Sequence, residues 1–449
     1  MTSEQQEISD VVSENSNQLD DEVQSIAKRF YSNTPEDWEF SKLNDVVENF
    51  IDYRGKTPPK AESGIHTISA ANIKHGFILR QREEKFVSEE TYDEWTTRGI
   101  PTKGDVIITT EAPVGEVGMI REEETLLPTQ RLITMSAGDQ LSATYLKFCL
   151  QYERTQKQLE SYAGGTTVSS FNQTDLRKTV IPLPSLPEQQ KIGSILNNIE
   201  LKIKLNNQIN NRLERAADAI YESWFVDFKP FDDFKQTENG EIPASFEVGT
   251  LSDIAEINHN RIDPSEQAQT DYYLFSFSGY DENQLPEIQP GEDINSQKYV
   301  VSNSTVLVSK LNPRIPRVWR VRLTPENSIS STEFVNLSAS NEEALNYIYS
   351  IARSDNFQSY LESHTTGTSG SHQRVKQKDI LNYSLALLTR EDLKRFNSII
   401  SPIYDRISHN REENRRLRKL IGILLPKLMS GEIRVNDIEL DELEVDSEV

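Results

Sequence analysis

The 449-residue chain has one cysteine, Cys149, and it contains no run of about 18 apolar residues. A single cysteine excludes an internal disulfide framework and a zinc site built from several thiolates. The missing apolar run argues against a transmembrane helix, and the N-terminal "MTSEQQEISDVV" lacks the basic and apolar segments of a signal peptide. We therefore expect a cytoplasmic protein that does not contact a membrane.

Motifs that carry enzyme chemistry are also missing from the sequence. There is no G-x-x-x-x-G-K-[ST] phosphate loop and no G-x-S-x-G motif. The stretch "NPRI" from Asn312 lacks the second proline and the aromatic residue of the N/D-P-P-Y/F motif of adenine methyltransferases. The six histidines have no spacing typical of metal ligands. We therefore expect a protein that is not an enzyme and that holds no cofactor and no metal.

Basic residues are scarce relative to acidic ones. The chain has 48 lysines and arginines against 71 aspartates and glutamates, a net charge of −23. Residues 1–40 carry a net charge of −8 and residues 432–449 one of −7, so most of the acidic excess lies at the two ends. Such compositions are typical of solvated chain. We therefore predict an acidic disordered N-terminal tail over 1–35 and an acidic C-terminal tail over 432–449.

An internal repeat organises the rest of the chain. At an offset of 204 residues, "QTDL" from Gln173 falls on "QKDI" from Gln377, and "VIPLP" from Val180 falls on "SLALL" from Ser384. Globular segments precede these stretches over 36–185 and 246–388, and the two are much more loosely related. "KGDVIITT" at 103–110 and "NSTVLVSK" at 303–310 are typical of buried strands. We predict two globular domains of similar fold whose sequences have diverged.

A long apolar pattern with alternating spacings of four and three residues follows each domain. It runs from Ile192 to Trp224 in the first copy and from Phe396 to Leu428 in the second. A 3.5-residue period over more than four heptads indicates coiled-coil helices. We predict spacer helix 1 over 186–227 and spacer helix 2 over 389–431, with Thr389 at the second start. Pro426 is expected to disturb the last turns.

Paired asparagines interrupt both apolar seams at matching positions: Asn206 and Asn210 in the first, Asn410 and Asn414 in the second. If the helices are antiparallel, these four amides meet, and they fix the register because a shift by one heptad places each amide against isoleucine or leucine. The alternative is that the asparagines mark a solvated waist or a face that binds a partner.

The chain order favours antiparallel helices. A helix of about 40 residues is about 60 Å long. If the two helices were parallel, the second domain would have to carry the chain back along that whole length, which is awkward for a compact domain. The stretch 228–245 contains proline, glycine and acidic residues and is predicted to be an exposed linker. The predicted fold class is therefore α+β, with two mixed α/β domains separated by two long antiparallel coiled-coil helices and related by a pseudo-twofold internal repeat.

Local basic stretches are candidates for contact with double-stranded DNA, because arginine forks suit phosphates and guanine edges. The run "SKLNPRIPRVWRVR" has five cations, no acid and Trp319, and the first domain has shorter stretches. The alternative is that these side chains belong to solvated strand edges. The candidates are Lys310, Arg314, Arg317, Arg320 and Arg322 in the second domain and Arg54, Lys56, Lys60, Lys74, Arg80 and Arg82 in the first.

Several motifs resemble those of one family. "IPLPSLPEQQKIGSIL", the helix end "ESWFVDFKPF", the opening "GEIPASFEVGTLSDIAEI" and the closing "LLPKLMSGEIRV" are similar to the specificity subunit of type I restriction-modification systems. The resemblance implies two target recognition domains that read a bipartite DNA sequence. It also implies docking of two methyltransferase subunits and of restriction motor-nuclease subunits, with all catalysis in these partners. The second junction, "SLALLTREDL", departs from the proline-containing form.

Two other functions are compatible with parts of the sequence. A coiled-coil adaptor would join other proteins without reading DNA, but the arginine run and the unequal domains count against it. A single-chain methyltransferase with built-in recognition domains is disfavoured by the missing motifs. DNA recognition is the function that the sequence favours.

Overall fold

The structure is a computed structural model, and it describes residues 21–53, 57–74, 76–79, 85–129, 131–162, 170–238, 240–322, 324–366 and 373–435. The chain divides into two compact units. Unit 1 comprises the residues up to Lys202 together with those from Leu417 onward, and unit 2 comprises Ile203–Arg416. The two long helices therefore contribute residues to both units. Across the described residues no helix is long and apolar enough to cross a membrane.

Unit 1 begins with a helix over residues 21–30, α1. Its other helices are α2 (Leu43–Val46), α3 (Glu89–Trp95), α4 (Ala143–Gln151), α5 (Glu153–Tyr162) and α6 (Gln173–Lys178). Its strands are β1 (Glu39–Lys42), β2 (Val47–Ile51), β3 (Ile65–Ile68), β4 (Ile73–Lys74), β5 (Phe77–Ile78), β6 (Phe86–Val87), β7 (Val106–Thr110), β8 (Val114–Met119), β9 (Leu126–Pro128), β10 (Leu132–Ala137) and β11 (Val180–Leu183).

The strands of unit 1 form one larger and several smaller sheets. An antiparallel sheet has the order β2-β10-β7-β8, and a second sheet, β6-β3-β9, contains the parallel pair β3 and β9. β1 pairs with β11, and β4 pairs with β5. The β7 strand is buried along nearly its whole length, as its run of valine and isoleucine predicts.

Unit 2 contains α8 (Phe277–Asn283), α9 (Leu345–Arg353), α10 (Asp355–Ser363) and α11 (Gln377–Leu381). Its strands are β12 (Phe234–Thr237), β13 (Gly240–Pro243), β14 (Glu247–Thr250), β15 (Ala255–Ile257), β16 (Arg261–Ile262), β17 (Asp271–Phe275), β18 (Glu287–Pro290), β19 (Lys298–Val300), β20 (Thr305–Ser309), β21 (Val318–Val321), β22 (Ser328–Ser330), β23 (Phe334–Ala339) and β24 (Ser384–Leu387).

The sheets of unit 2 repeat those of unit 1. The antiparallel sheet β15-β23-β20-β21 has the same order as β2-β10-β7-β8, and β14 pairs with β24 as β1 pairs with β11. A parallel pair, β17 and β22, takes the place of β3 and β9 within a larger five-stranded sheet, β16-β19-β22-β17-β18. Both strands predicted from "KGDVIITT" and "NSTVLVSK" are present and buried. The predicted internal repeat is therefore visible in the topology.

Two helices of 40 residues follow the two domains: α7 (Leu186–Phe225) and α12 (Arg390–Met429). Both bounds of α12 lie 204 residues after those of α7, which matches the predicted repeat. Thr389 caps α12, since its hydroxyl accepts from the Asp392 amide at 3.1 Å. The expectation that Pro426 disturbs the last turns was wrong, because α12 continues through this residue to Met429.

Each unit has its own apolar core in which the main sheet packs against helix residues. In unit 1, Tyr145 and Phe148 of α4 meet Ile192 and Leu196 of α7 and Leu428 of α12. In unit 2, α9 covers the sheet and packs with Ala217 and Trp224 of α7 and Phe396 of α12, together with Ile400 and Tyr404. The apolar seams predicted in the helices are therefore buried against the domains as well as against each other.

The inner boundary of the predicted N-terminal tail was wrong. Residues 21–30 are helical, and Tyr31 is buried in the core, where its hydroxyl donates to the Val180 carbonyl at 3.0 Å. Apolar side chains at helical spacing, Ala27 and Phe30 among them, override the acidic composition. Residues 1–20 lie outside the described part of the chain.

Two further boundaries also differ from the sequence prediction. In the predicted C-terminal tail, Val435 is buried, and Arg434 binds both Glu188 and Asp37 at 2.8 to 3.1 Å. The predicted exposed linker over 228–245 contains the β12–β13 hairpin, and Phe231 packs against Phe246 with ring centroids 4.7 Å apart. Aromatic side chains anchor this segment although its composition is that of a loop. Residues 436–449 lie outside the described part of the chain.

Candidate DNA interface

The predicted arginine run lies on the loop over 310–317 that joins β20 to β21 and on β21 itself, and Arg322 directly follows that strand. Arg317 makes a two-pronged ion pair with Asp281, at 2.8 Å and 2.6 Å, and its guanidinium lies 4.6 Å from the centre of the Phe277 ring. A neighbouring carboxylate thus neutralises Arg317. Its guanidinium holds α8 against the loop, a structural role that the sequence prediction did not include.

Arg320 and Arg322 are also paired within unit 2. The buried Arg320 donates to Asn346 at 2.7 Å and to Asp405 at 2.9 Å, while Arg322 donates to the other oxygen of Asp405 at 2.9 Å. Asp405 belongs to α12, so these bonds fasten β21 to the long helix. The side chain of Arg320 is only 7% exposed, which leaves little of it for an external ligand.

The loop over 310–317 presents the remaining cations of the run. Arg314 and Ile315 are exposed, and Lys310 is half-buried. Among the described residues, neither Lys310 nor Arg314 has a hydrogen bond or an ion pair from its side chain. Asn312 has a positive φ of 51°, a conformation that asparagine tolerates and that turns the chain sharply before Pro313. The loop therefore displays one free arginine next to an exposed apolar side chain.

A neighbouring segment over 373–375, which sequence reasoning missed, supports this loop. The Asn312 amide donates to the Gln373 carbonyl at 2.9 Å, and Arg374 makes a two-pronged ion pair with Glu333 at 3.1 Å and 2.9 Å. In unit 1, Arg131 and Glu111 form an ion pair at 3.2 Å beside the shorter β7–β8 loop. No local sequence pattern indicates these pairs, because partners such as Glu333 and Arg374 are 41 residues apart.

The candidates of unit 1 are only partly described. Lys60 is exposed and Lys74 is half-buried on β4. Arg54, Lys56, Arg80 and Arg82 lie outside the described residues. The loop between β7 and β8 spans residues 111–113 only and has Ala112 at a φ of 40°. The corresponding hairpin loops of the two units therefore differ strongly in length and charge.

The four predicted asparagines meet within unit 2. Asn206 donates to Asn414 at 2.9 Å and Asn410 donates to Asn210 at 2.8 Å. As residue numbers rise along α7 they fall along α12, so these helix segments are antiparallel, and all four side chains are buried. Asn414 also donates to Asn207 at 2.8 Å, which the sequence analysis did not predict.

The repeated α/β scaffold with two long helices can be compared with known proteins. Residues 35–215 match the family described as the type I restriction modification DNA specificity domain. The chain is 24% identical over 424 residues to the type I restriction enzyme MjaIX specificity subunit of Methanocaldococcus jannaschii, covering 90% of this chain and 95% of that one.

Other known proteins agree with this match. The chain is 22% identical over 322 residues to the type I restriction enzyme HindI specificity subunit of Haemophilus influenzae, covering 56% of this chain and 68% of that one. Its fold is similar to the crystal structure of a type I restriction-modification S subunit from M. genitalium, with a TM-score of 0.56 and 14% identity, covering 88% and 96% of the two chains. The chain is therefore similar in sequence and in fold to specificity subunits of type I restriction-modification systems.

Proposed function

We propose that the chain reads a bipartite, asymmetric DNA sequence, with one half-site for each unit. The observation that carries this proposal is that the two units share one sheet topology but differ in one hairpin loop. This loop is short between β7 and β8 and long and basic between β20 and β21. A shared scaffold gives both units the same way of approaching a duplex. Different loop side chains then select different bases, because bases are distinguished by the groups that reach their edges.

In unit 2, Arg314 is the residue that we assign to a base edge. It is exposed and has no partner among the described residues, and a free guanidinium can bind guanine O6 and N7 with two hydrogen bonds. Lys310 and Arg322 are assigned to phosphates. Arg317 and Arg320 are assigned to positioning the loop and β21, since both are held by carboxylates of unit 2.

In unit 1, Lys60 and Lys74 remain candidates for phosphate contacts, as do Arg54, Lys56, Arg80 and Arg82. Phosphate contacts orient a protein on the duplex without selecting its sequence. The net charge of −23 makes long-range attraction to DNA weak, so a partner that adds positive charge would strengthen binding.

We further propose that the helices set the number of unread base pairs and that two methyltransferase subunits dock on them, with restriction motor-nuclease subunits joining for cleavage. The asparagine pairs in unit 2 support a fixed register, since a shift of α7 along α12 would break both amide pairs at once. The chain itself contributes no catalysis in this proposal, because adenine methylation and cleavage belong to the partners.

The test uses the chain in complex with its methyltransferase subunits and determines the methylated DNA motif by sequencing. We expect an interrupted motif with two unlike halves. Arg314→Ala should relax one base position of one half by roughly 10- to 100-fold, as expected for loss of one base contact. Lys235→Ala, which removes a cation from an exposed position of β12, is the control and should leave the motif unchanged.

A coiled-coil adaptor is the alternative that the same experiment separates. An adaptor would show no sequence-dependent retention of random duplexes, alone or with the methyltransferase. A palindromic or continuous motif would instead contradict the assignment of one half-site to each unit. Transfer of methyl groups by the purified chain alone would contradict the non-catalytic role.

A further inference from the structure

The β20–β21 loop has an exposed apolar side chain at its tip. Ile315 is 47% exposed and directly follows Arg314 in the chain. Turns are usually made of glycine, proline, asparagine, aspartate or serine, so an isoleucine is an uncommon choice at this place. Single exposed apolar residues are common on protein surfaces and say little by themselves. What Ile315 can do therefore depends on how the loop holds it and on what lies beside it.

The tip of the loop is constrained locally. The Ile315 amide donates to the Asn312 carbonyl at 3.0 Å, which closes a turn over residues 312–315. Pro313 lies inside this turn and Pro316 follows it directly. Each proline fixes its own φ at about −65°, so the backbone on both sides of Ile315 has little freedom.

The base of the loop is fastened on two sides. The Ser309 amide donates to the Arg317 carbonyl at 3.0 Å, and the Lys310 amide donates to the Glu333 carbonyl at 3.0 Å. The Val375 amide donates to the Lys310 carbonyl at 2.9 Å. A loop that is already ordered loses less conformational entropy when it binds a ligand. Ile315 is therefore presented by a preformed loop.

The charges around the tip suit a polyanion. Arg314 has no side-chain partner among the described residues. The carboxylates of Asp281 and Glu333, which border the loop, are each held in a two-pronged ion pair, the first by Arg317 and the second by Arg374. These two negative charges are therefore compensated where a DNA phosphate would approach.

The major groove offers an isoleucine one apolar feature on the base edges, which is the C5-methyl group of thymine. Consecutive Cα atoms are about 3.8 Å apart, and consecutive bases of one strand rise by about 3.4 Å. Two adjacent tip residues thus match the spacing of neighbouring base pairs. Arg314 and Ile315 together suit a guanine and a nearby thymine.

Unit 1 lacks an equivalent of this side chain. Its β7–β8 loop consists of Glu111, Ala112 and Pro113, none of which is a large aliphatic residue. Contact with a methyl group through this hairpin is therefore a property of unit 2. The half-site of unit 1 provides an internal control.

We propose that Ile315 recognises the C5-methyl group of a thymine in the half-site of unit 2, within about two base pairs of the guanine assigned to Arg314. This inference rests on the proposed function and adds a specificity-determining residue to it. Isoleucine has no hydrogen-bonding group in its side chain, so it selects the base through the methyl group alone. Uracil and cytosine lack that group.

The test uses the chain in complex with its methyltransferase subunits and duplexes that contain the methylated motif. Each thymine is replaced in turn by uracil, which removes only the C5-methyl group, and fluorescence anisotropy measures the Kd. Arg314→Ala identifies the half-site of unit 2 by the position that it relaxes. One replacement in that half should weaken binding by the wild type about 4-fold, the effect of exposing about one methyl group.

Ile315→Ala should bind the thymine and uracil duplexes equally, because the side chain that senses the methyl group is gone. Its loss and the loss of the methyl group are then non-additive, as expected for two groups in contact. Ile288→Ala is the matched control, since Ile288 is 50% exposed on β18 of the same unit. This variant should keep the 4-fold response of the wild type. Thermal unfolding checks that both variants retain the fold.

The outcomes separate this inference from the function on which it rests. An interrupted motif that Arg314→Ala relaxes, but in which Ile315→Ala responds to every uracil as the wild type does, would overturn the inference alone. So would a half-site without an A·T pair near that guanine. Weaker binding by Ile315→Ala to thymine and uracil duplexes alike would indicate a wedge between bases and would also overturn it. Absence of any sequence-dependent retention would overturn both.

Discussion

The two units use one sheet topology but fill the outer side of their edge strand differently. In unit 1, Gly118 of β8 lets the β4–β5 hairpin lie directly on the strand. In unit 2, the matching Trp319 projects its own ring, and a cavity lies beside it. At this register position a neighbouring hairpin covers the sheet in unit 1, and an indole covers it in unit 2. Divergence of a repeat can proceed this way without a change of topology.

The units also differ in how the edge strand is fastened to a long helix. In unit 1, Glu200 of α7 binds both Lys147 and Arg121, and the Lys147 side chain is fully buried. In unit 2, Asp405 of α12 binds Arg320 and Arg322, but its own side chain is 40% exposed. Ion pairs removed from water are costly to break, whereas exposed ones contribute little. Unit 1 should therefore depend far more on its central carboxylate.

The largest effect is expected from Glu200→Gln. This change leaves two cations without their carboxylate, one of them wholly buried, and should lower the free energy of unfolding by about 3–5 kcal/mol. The matched change Asp405→Asn should cost about 1 kcal/mol, because water reaches that pair. Urea unfolding followed by far-UV circular dichroism measures both. Equal losses of unfolding free energy in Glu200→Gln and Asp405→Asn would contradict this difference between the units.

A second expectation concerns the glycine that admits the hairpin. Gly118→Ala places a methyl group 3.3 Å from the side chains of Ile73 and Ile78, so these side chains must move by a few tenths of an ångström, at a cost of about 1–3 kcal/mol. Gly422→Ala is the control, because a Cβ there meets nothing within 4 Å and alanine favours the helix by up to about 1 kcal/mol. Thermal unfolding compares the two. A Gly118→Ala protein as stable as wild type would show that the hairpin is not closely packed.

Sequence reasoning succeeded where the signal is periodic and failed where it depends on distant partners. The repeat and the 3.5-residue seam predicted both long helices, because helical burial repeats along the chain. The partners of Arg317 and Arg320 could not be predicted, since Asp281 is 36 residues away and Asp405 is 85 residues away. A run of basic residues in the sequence therefore does not form a basic surface patch when the fold places carboxylates beside it.

The predicted boundary of the N-terminal tail was wrong for a related reason. Composition describes residues 1–40 correctly as acidic, but a few apolar side chains suffice to bury Tyr31 against Thr155 and Val180. The four predicted asparagines do meet, because chain order favours an antiparallel arrangement and that arrangement determines which amides face each other. Their role in fixing the register stays a prediction. Topology could be argued from the sequence, whereas the contacts of single side chains could not.

The helix segments give a third comparison, since unit 2 buries the asparagine pairs in addition to Phe396 and Ile400, which correspond to Ile192 and Leu196 of unit 1. Asn410→Leu should cost about 1–2 kcal/mol, because it leaves the Asn210 oxygen without its donor. The double variant Asn210→Leu with Asn410→Leu should be within about 1 kcal/mol of wild type, since no group is left unpaired. Urea unfolding of the single and double variants gives the coupling free energy between Asn210 and Asn410. Additive losses would contradict pairing of these amides.

The smallest expected effect is a pH dependence specific to unit 1. Burial lowers the pKa of Lys147 from 10.5 to about 8, although the Glu200 carboxylate opposes this shift. Between these two values the unfolded chain keeps a proton that the folded chain has released, so the free energy of unfolding rises with pH. Relative to Lys147→Met, the wild type should gain about 1 kcal/mol between pH 8 and pH 9. Staying at or below pH 9 limits the ionisation of unfolded tyrosines, whose pKa is about 10. Subtracting the variant removes their remaining contribution. If the difference in the free energy of unfolding between the two proteins stays constant over this range, Lys147 keeps its ordinary pKa. The contrast between a buried ion pair in unit 1 and a solvent-exposed one in unit 2 would then fail.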